Sequence, residues 1–211
     1  MTVLVAFVRE AQPGRVAEVR RALQDQAAAM TRQHEGIRTY QVMQGRAQTN
    51  LYVDLIEWQS RSDFEVARES LREAAEDVRH LFLRPARVRV YRPLTIVRAQ
   101  RREAQAAGVG LVRVRPGTEE QYASHMHGWL DGHYRHRPGL IAVGVYQSED
   151  EAQQFLVRNT WETEEDLIAH RTWMTREMLP TTDPWVARRE LLALLMRWHY
   201  RQPALAQPEP V

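Results

Sequence analysis

Trp58 and Trp161 stand 103 residues apart, and so do the turn glycines Gly14 and Gly117 and the glycines Gly36 and Gly139. Three anchors at one offset, with no gap between them, mark an internal duplication. A chain of 211 residues then divides into two units of about 100 residues each rather than building one large core. The clearest stretch runs from Val157 to His170. It reads as a strand ending in Trp161, a cap at Thr163 followed by Glu164 and Glu165, and a helix carrying His170. Residues 54–67 are its earlier copy.

Each unit follows the same order. Val3 to Arg9 is an apolar, β-rich run ended by the Pro13-Gly14 turn. From Arg15 to His34, Val16, Val19, Leu23, Ala27 and Met30 recur at helical spacing. Ile37 to Gln44 and Asn50 to Trp58 read as strands, Ser60 to Leu83 as a helical region closed by Pro85, and Val88 to Tyr91 as a fourth strand. In the second unit the strands are Val109 to Val114, Leu140 to Gln147 and Gln153 to Trp161, with helices over Thr118 to His136 and Thr163 to Met178. Leu191 to Met196 is helical by propensity, but the offset aligns it with the fourth strand of the first unit, and the repeat decides for a strand. The order is β-α-β-β-α-β twice, an α+β pattern of two ferredoxin-like units. The expected division is residues 1–97, a linker at 98–106, residues 107–198 and a loose tail at 199–211.

Composition removes much chemistry. There is no cysteine, so disulfides, thiolate nucleophiles and cysteine-ligated metals are impossible. There is no lysine either, so all 29 basic side chains are arginines and a Schiff-base lysine or a P-loop is excluded. A net charge of +2, with arginines and acids interleaved, gives no electrostatic case for nucleic acid. No apolar run approaches membrane-spanning length and the N-terminus enters a strand without a basic leader, so the expectation is a cytoplasmic protein that is not membrane-bound.

The motifs Pro116-Gly117-Thr118-Glu119-Glu120, Arg137-Pro138-Gly139-Leu140 and Asn159-Thr160-Trp161-Glu162, with the helix start through His170, resemble the antibiotic biosynthesis monooxygenase family of the dimeric α/β-barrel superfamily. Pro13-Gly14, His34-Glu35-Gly36-Ile37 and Ile56-Glu57-Trp58-Gln59-Ser60 are the first-unit counterparts. The resemblance spans roughly residues 2–97 and 107–198. It implies two four-stranded sheets packed face to face into a barrel within one chain, as a monomeric pseudo-dimer or a homodimer, with one helix–sheet pocket per unit. It also implies a cofactor-independent oxygenase that deprotonates an aromatic, quinone-forming small molecule and passes electrons to dioxygen. Relatives that carry this activity tend to have Asn four residues before the strand-end Trp, where this chain has Asp54 and Val157. Other relatives bind or degrade haem. The degraders' Asn, Trp and His fall here on Phe7 and Gly110, Ala67 and His170, and Asp77 and Pro180, so that set is missing. An imidazole such as His170 or His133 would still suffice as an axial ligand, which keeps haem open as the alternative cofactor. A non-catalytic binding module is the third reading.

The two units differ in what they can do. By the offset, Val19 becomes Tyr122, Leu23 becomes Met126, Gln26 becomes Trp129, Met30 becomes His133, Ile56 becomes Asn159 and Ala67 becomes His170. The first unit is therefore expected to be scaffold and the second to hold the site. His170 or His133 would be the base, Asn159 and Tyr122 the donors, and Trp129, Trp161, Trp173 and Met126 the walls. Each has a plainer account. His170 could be a packed helix residue, Asn159 could satisfy strand backbone, His133 could face a helix C-terminus, and Trp161 is matched by Trp58 and reads as core. No metal site is expected. His125 and His127 diverge on a helix, and His133 and His136 lack a third ligand.

Overall fold

The computed structural model describes residues 2–100 and 102–202. In the first half, β1 (Val3–Glu10), α1 (Val16–Gln33), β2 (Ile37–Gly45), β3 (Leu51–Trp58), α2 (Arg61–Asp77) and β4 (Arg87–Arg98) follow in order, with a 3-10 turn at Arg79–Leu81 before β4. The second half repeats this with β5 (Ala106–Val114), α3 (Glu119–Trp129), β6 (Leu140–Ser148), β7 (Gln154–Trp161), α4 (Glu164–Thr182) and β8 (Val186–Arg201). Gly14 and Gly117 hold matching turns at φ +78° and +82°, a region that favours glycine. The helix starts match as well. Ser60 accepts a hydrogen bond from the Asp63 backbone N–H, and Thr163 does the same for Asp166, each at 3.1 Å.

The eight strands close into one antiparallel barrel in the order β1-β3-β2-β8-β5-β7-β6-β4. The two ferredoxin-like sheets are joined along β2–β8 and β4–β6. The fourth strand of each unit makes one seam. The start of β4 pairs with β1 through Arg87 to Tyr91, and its end pairs with β6 from Tyr91 to Arg98. Likewise β8 begins on β5 and ends on β2. A strand that serves two sheets must be long, which is why β4 and β8 outrun the short fourth strands expected from alternation in the first unit and from the repeat in the second. It also corrects the expected boundaries: Arg98 closes β4, Ala106 opens β5, and His199 to Arg201 belong to β8 rather than to a tail. The remainder of that tail, from Pro203 on, lies outside the described residues.

Alternation splits the strand side chains between two environments. One face fills the barrel with Leu4, Ala6, Met43, Leu55, Tyr146, Leu156 and Leu194, drawn from both halves. The other packs on the helices in two separate cores, one per unit. Each sheet thus buries both faces, and the pairing of the two sheets leaves no open edge.

One helix departs from the offset. After Trp129, residues 130–134 form a π-helical turn, which widens the coil and delays the inward stripe by one residue. Leu130 still matches the buried Ala27, but Tyr134 points into the core in place of His133, which was expected inward by analogy with Met30 and is exposed. Helix α4 also runs beyond Met178, with Pro180 in its last turns, where the ring removes one i→i−4 hydrogen bond near the helix end. Among the described residues, no helix is long and apolar enough to cross a membrane.

Candidate functional site

The difference between the units lies where strands meet helices. In the first, Phe7, Arg9 and Asp54 project from β1 and β3 toward the helices. The Arg9 guanidinium lies 5.0 Å and 5.5 Å from the Phe7 and Phe82 ring centres. Its Nη2 is 3.1 Å from Asp54 Oδ2, and its Nη1 donates to Gln26 Oε1 at 3.3 Å. Both ion-pair side chains are almost fully buried, at 2% and 0% exposure. An aliphatic scaffold, as expected from the helix stripe alone, overlooks this plug. The signal was in the strands rather than the helix.

The same positions in the second unit are Gly110, Val112 and Val157, and Val5 becomes Gly108. Without a plug, a cavity of about 30 Å³ remains between β5, β7, α3 and α4, walled by Tyr122, Asn159, His170, Met174 and Met178. Of the expected residues, Tyr122, Asn159 and His170 line it. Trp161 stands behind them, stacked on the His170 ring at 4.6 Å and donating its indole N–H to Asn159 Oδ1 at 2.7 Å. Met126 is buried in the same core without lining the cavity.

His133, Trp129 and Trp173 do not join them. His133 stacks on Trp129 at 4.2 Å on the outer surface of α3, where both line a shallow open cleft with His125. Trp173 lies between Trp129 and His170, at 5.6 Å and 5.4 Å, and carries the Arg137 guanidinium over its face at 3.5 Å. The π-helical turn sends His133 outward, and Tyr134 takes its place with its ring 4.8 Å from that of His170. The glycines and methionines of the wall escaped the sequence reading, although Phe7 against Gly110 at the fixed offset marks the opening.

Asn159 is held tightly. Its Oδ1 also accepts from the Gly108 backbone N–H at 3.0 Å, so its Nδ2 is the donor left for a ligand. A Cβ on residue 108 would fall 2.3 Å from that Oδ1, whereas a Cβ on residue 110 would meet Leu191 and Val157 at ordinary contact distances of 3.4 Å and 3.7 Å. Gly110→Ala is therefore expected to change stability by less than about 0.5 kcal/mol. Gly108→Ala should cost about 2–4 kcal/mol, because Asn159 must turn away and leave buried donors unpaired. Urea unfolding of the two variants checks this, and equal costs would contradict it.

His170 is the least satisfied group here. It is 3% exposed, and neither ring nitrogen has a hydrogen-bond partner. Burial, aided by the Arg137 charge, pushes its pKa down to about 3, so the ring is neutral at physiological pH. Burial also raises the Tyr122 phenol, which stays protonated. A neutral imidazole, an amide N–H₂ and a phenol around one small dry space can donate to, accept from and orient a polar substrate. Among the described residues no three metal-ligating side chains cluster.

Two ferredoxin-like sheets closed on each other, with helices outside, define an α/β barrel of the dimeric type made from one chain. The sequence pattern of the family described as antibiotic biosynthesis monooxygenase matches residues 1–79 and 108–172, and the chain belongs to that family. A candidate monooxygenase from Fusobacterium nucleatum subsp. nucleatum is similar in structure, with 9% identity and a TM-score of 0.81 over 97% of this chain and 96% of that one. One from Lactobacillus acidophilus NCFM has 13% identity and a TM-score of 0.74 over 97% and 98% of the chains. An anthrone oxidase-like protein has 13% identity and a TM-score of 0.71 over 95% and 92%. At such identities these likenesses speak for the fold. No curated protein matches the sequence. Family and fold together support a monooxygenase-like or small-molecule-binding role.

Proposed function

We propose that the second unit's helix–sheet cavity is the site of a cofactor-independent monooxygenase acting on an aromatic, quinone-forming small molecule with dioxygen. The observation that carries this reading is His170, a buried imidazole with two unpartnered nitrogens on the wall of a cavity that the first unit plugs. His170 would take the substrate proton, and Asn159 Nδ2 with the Tyr122 hydroxyl would donate to the developing oxyanion. A substrate anion beside the ring raises its pKa from the depressed value by charge pairing. For an anthrone-type substrate, the activated methylene supplies all four electrons to dioxygen. One oxygen atom becomes the new carbonyl and the other leaves as water with the two methylene hydrogens.

A cavity of about 30 Å³ is the size of a water or dioxygen molecule. An aromatic ring enters only if Met174 and Met178, the flexible side chains of the wall, change rotamer. A haem plane beside His170 would need a larger displacement of the same wall than a single aromatic ring does. Oxygen consumption with an anthrone, followed for the wild type, His170→Ala and Asn159→Ala, tests the proposal. Turnover should fall by about 10²-fold in His170→Ala. No consumption by the wild type would leave a binding module. A saturable Soret shift on haemin titration, lost in His170→Ala, would replace the oxygenase by a haem protein.

A further inference from the structure

The barrel interior is apolar for most of its length and turns polar at one end. On β2, β3 and β7 the inward positions that carry Met43, Leu55 and Leu156 continue, two residues along each strand, to Gln41, Glu57 and Arg158. The late halves of β4 and β8, the segments that cross between the sheets, add Arg98, His199 and Arg201 to the same end. Together they line a cavity of about 810 Å³ that is separate from the helix–sheet site and opens at the barrel mouth. That volume lies in the range of small-molecule sites.

The lining is charged far from balance. Five arginines, Arg38, Arg98, Arg102, Arg158 and Arg201, face one carboxylate, Glu57, and among the described residues Arg102 alone of the five forms an ion pair, with Glu162 outside the cavity. The Arg158 Nε is buried without a hydrogen-bond partner. Gln41, 1% exposed, has its Oε1 buried and unpartnered as well. Unsatisfied donors and acceptors in a concave, part-buried site are costly unless a ligand meets them. Guanidinium groups gathered around one concave mouth, with Arg158 part-buried among them, suit carboxylate or phosphate oxygens, which they bind through paired N–H donors. Gln41 Oε1 and the Glu57 carboxylate are acceptors and suit a hydroxyl on the same molecule. Ile96, Ala142 and Tyr146 supply apolar wall.

We propose that this polar end of the barrel lumen is a second binding site, for a hydroxylated organic anion bearing carboxylate or phosphate groups. Neither unit holds the site alone, because Gln41 and Glu57 come from the first sheet and Arg158 and Arg201 from the second.

Isothermal titration of the full chain with citrate, and separately with inorganic phosphate, tests the proposal at low chloride. Saturable binding of citrate at one per chain is expected, weakened about tenfold in Arg158→Gln and again in Arg201→Gln. Phosphate should bind more weakly through the same arginines and compete with citrate. Arg98→Gln, at the exposed rim, gives a readout in which folding is not at risk. Arg72→Gln, on the outer face of α2 and paired with Glu69, should bind as the wild type does. His170→Ala should also retain binding, which separates this site from the helix–sheet cavity. No saturable binding of either anion, or equal weakening in Arg72→Gln, overturns the proposal, as does loss of citrate binding in His170→Ala.

Discussion

Arg9→Ala is expected to destabilise the protein by about 3–5 kcal/mol at neutral pH, the penalty for leaving a buried carboxylate without its partner. Asp54 is fully buried and neither of its oxygens makes a well-directed hydrogen bond. The 3.1 Å contact with Arg9 is thus mainly Coulombic, and nothing else replaces it. Burial is the larger influence on Asp54 and raises its pKa, while Arg9 pulls the other way. The sign follows from linkage. A folded-state pKa above the unfolded value means that the native protein holds the proton more firmly. The associated stability is complete below the unfolded pKa and is lost as pH rises through the folded one. Removing Arg9 raises the folded pKa further, so the deficit of Arg9→Ala should shrink on acidification toward pH 4. The double variant Arg9→Met with Asp54→Leu should recover wild-type stability to within about 1 kcal/mol, since an apolar pair needs no compensation. Urea unfolding at two pH values decides the matter, and a pH-independent deficit would contradict it.

The second large effect is acid destabilisation through His170. Its folded pKa, pushed down to about 3, lies below the ordinary histidine value. Between the two the unfolded chain binds a proton that the folded one refuses. Stability is therefore full above roughly pH 6.5 and falls as pH drops, by roughly 3 kcal/mol at pH 4.5 for this residue. Arg137 adds to the effect by opposing a second positive charge nearby. His199, lowered to about 4 by burial and by Arg158 and Arg201, contributes in the same direction. In His170→Phe the difference in unfolding free energy between pH 7 and pH 4.5 should shrink by roughly 3 kcal/mol relative to the wild type. Parallel pH curves for the two proteins would mean that the imidazole is not held neutral.

The architecture was legible because a duplication and a period are both written along the chain. Offset pairs such as Trp58 and Trp161 fixed the unit, and the same offset assigned the β8 region to a strand against its helical propensity. The lengths of β4 and β8 were not legible. Their late halves mix polar and apolar residues and are part-exposed, and they are strands because another sheet lies beside them. The lining of the candidate site was readable in part. Tyr122, Asn159 and His170, singled out by substitution at fixed offset, line the cavity, whereas His133 lies outside it because the π-helical turn is a change of winding that no residue spacing announces. The plug and the cavity required reading the first strand of each unit, where Phe7 corresponds to Gly110 and Val5 to Gly108 at the fixed offset. What is missing from a side chain shapes this site as much as what is present.

Joining both sheets in one polypeptide has a consequence for how the sites can differ. In a barrel made from two identical chains, any substitution appears twice, and a plug placed in one pocket closes both. Here Arg9 and Gly110 are separate positions in a single gene product, so one pocket is sealed for rigidity while its counterpart stays open. Closure is also a first-order event, independent of dilution, because both halves arrive on the same molecule.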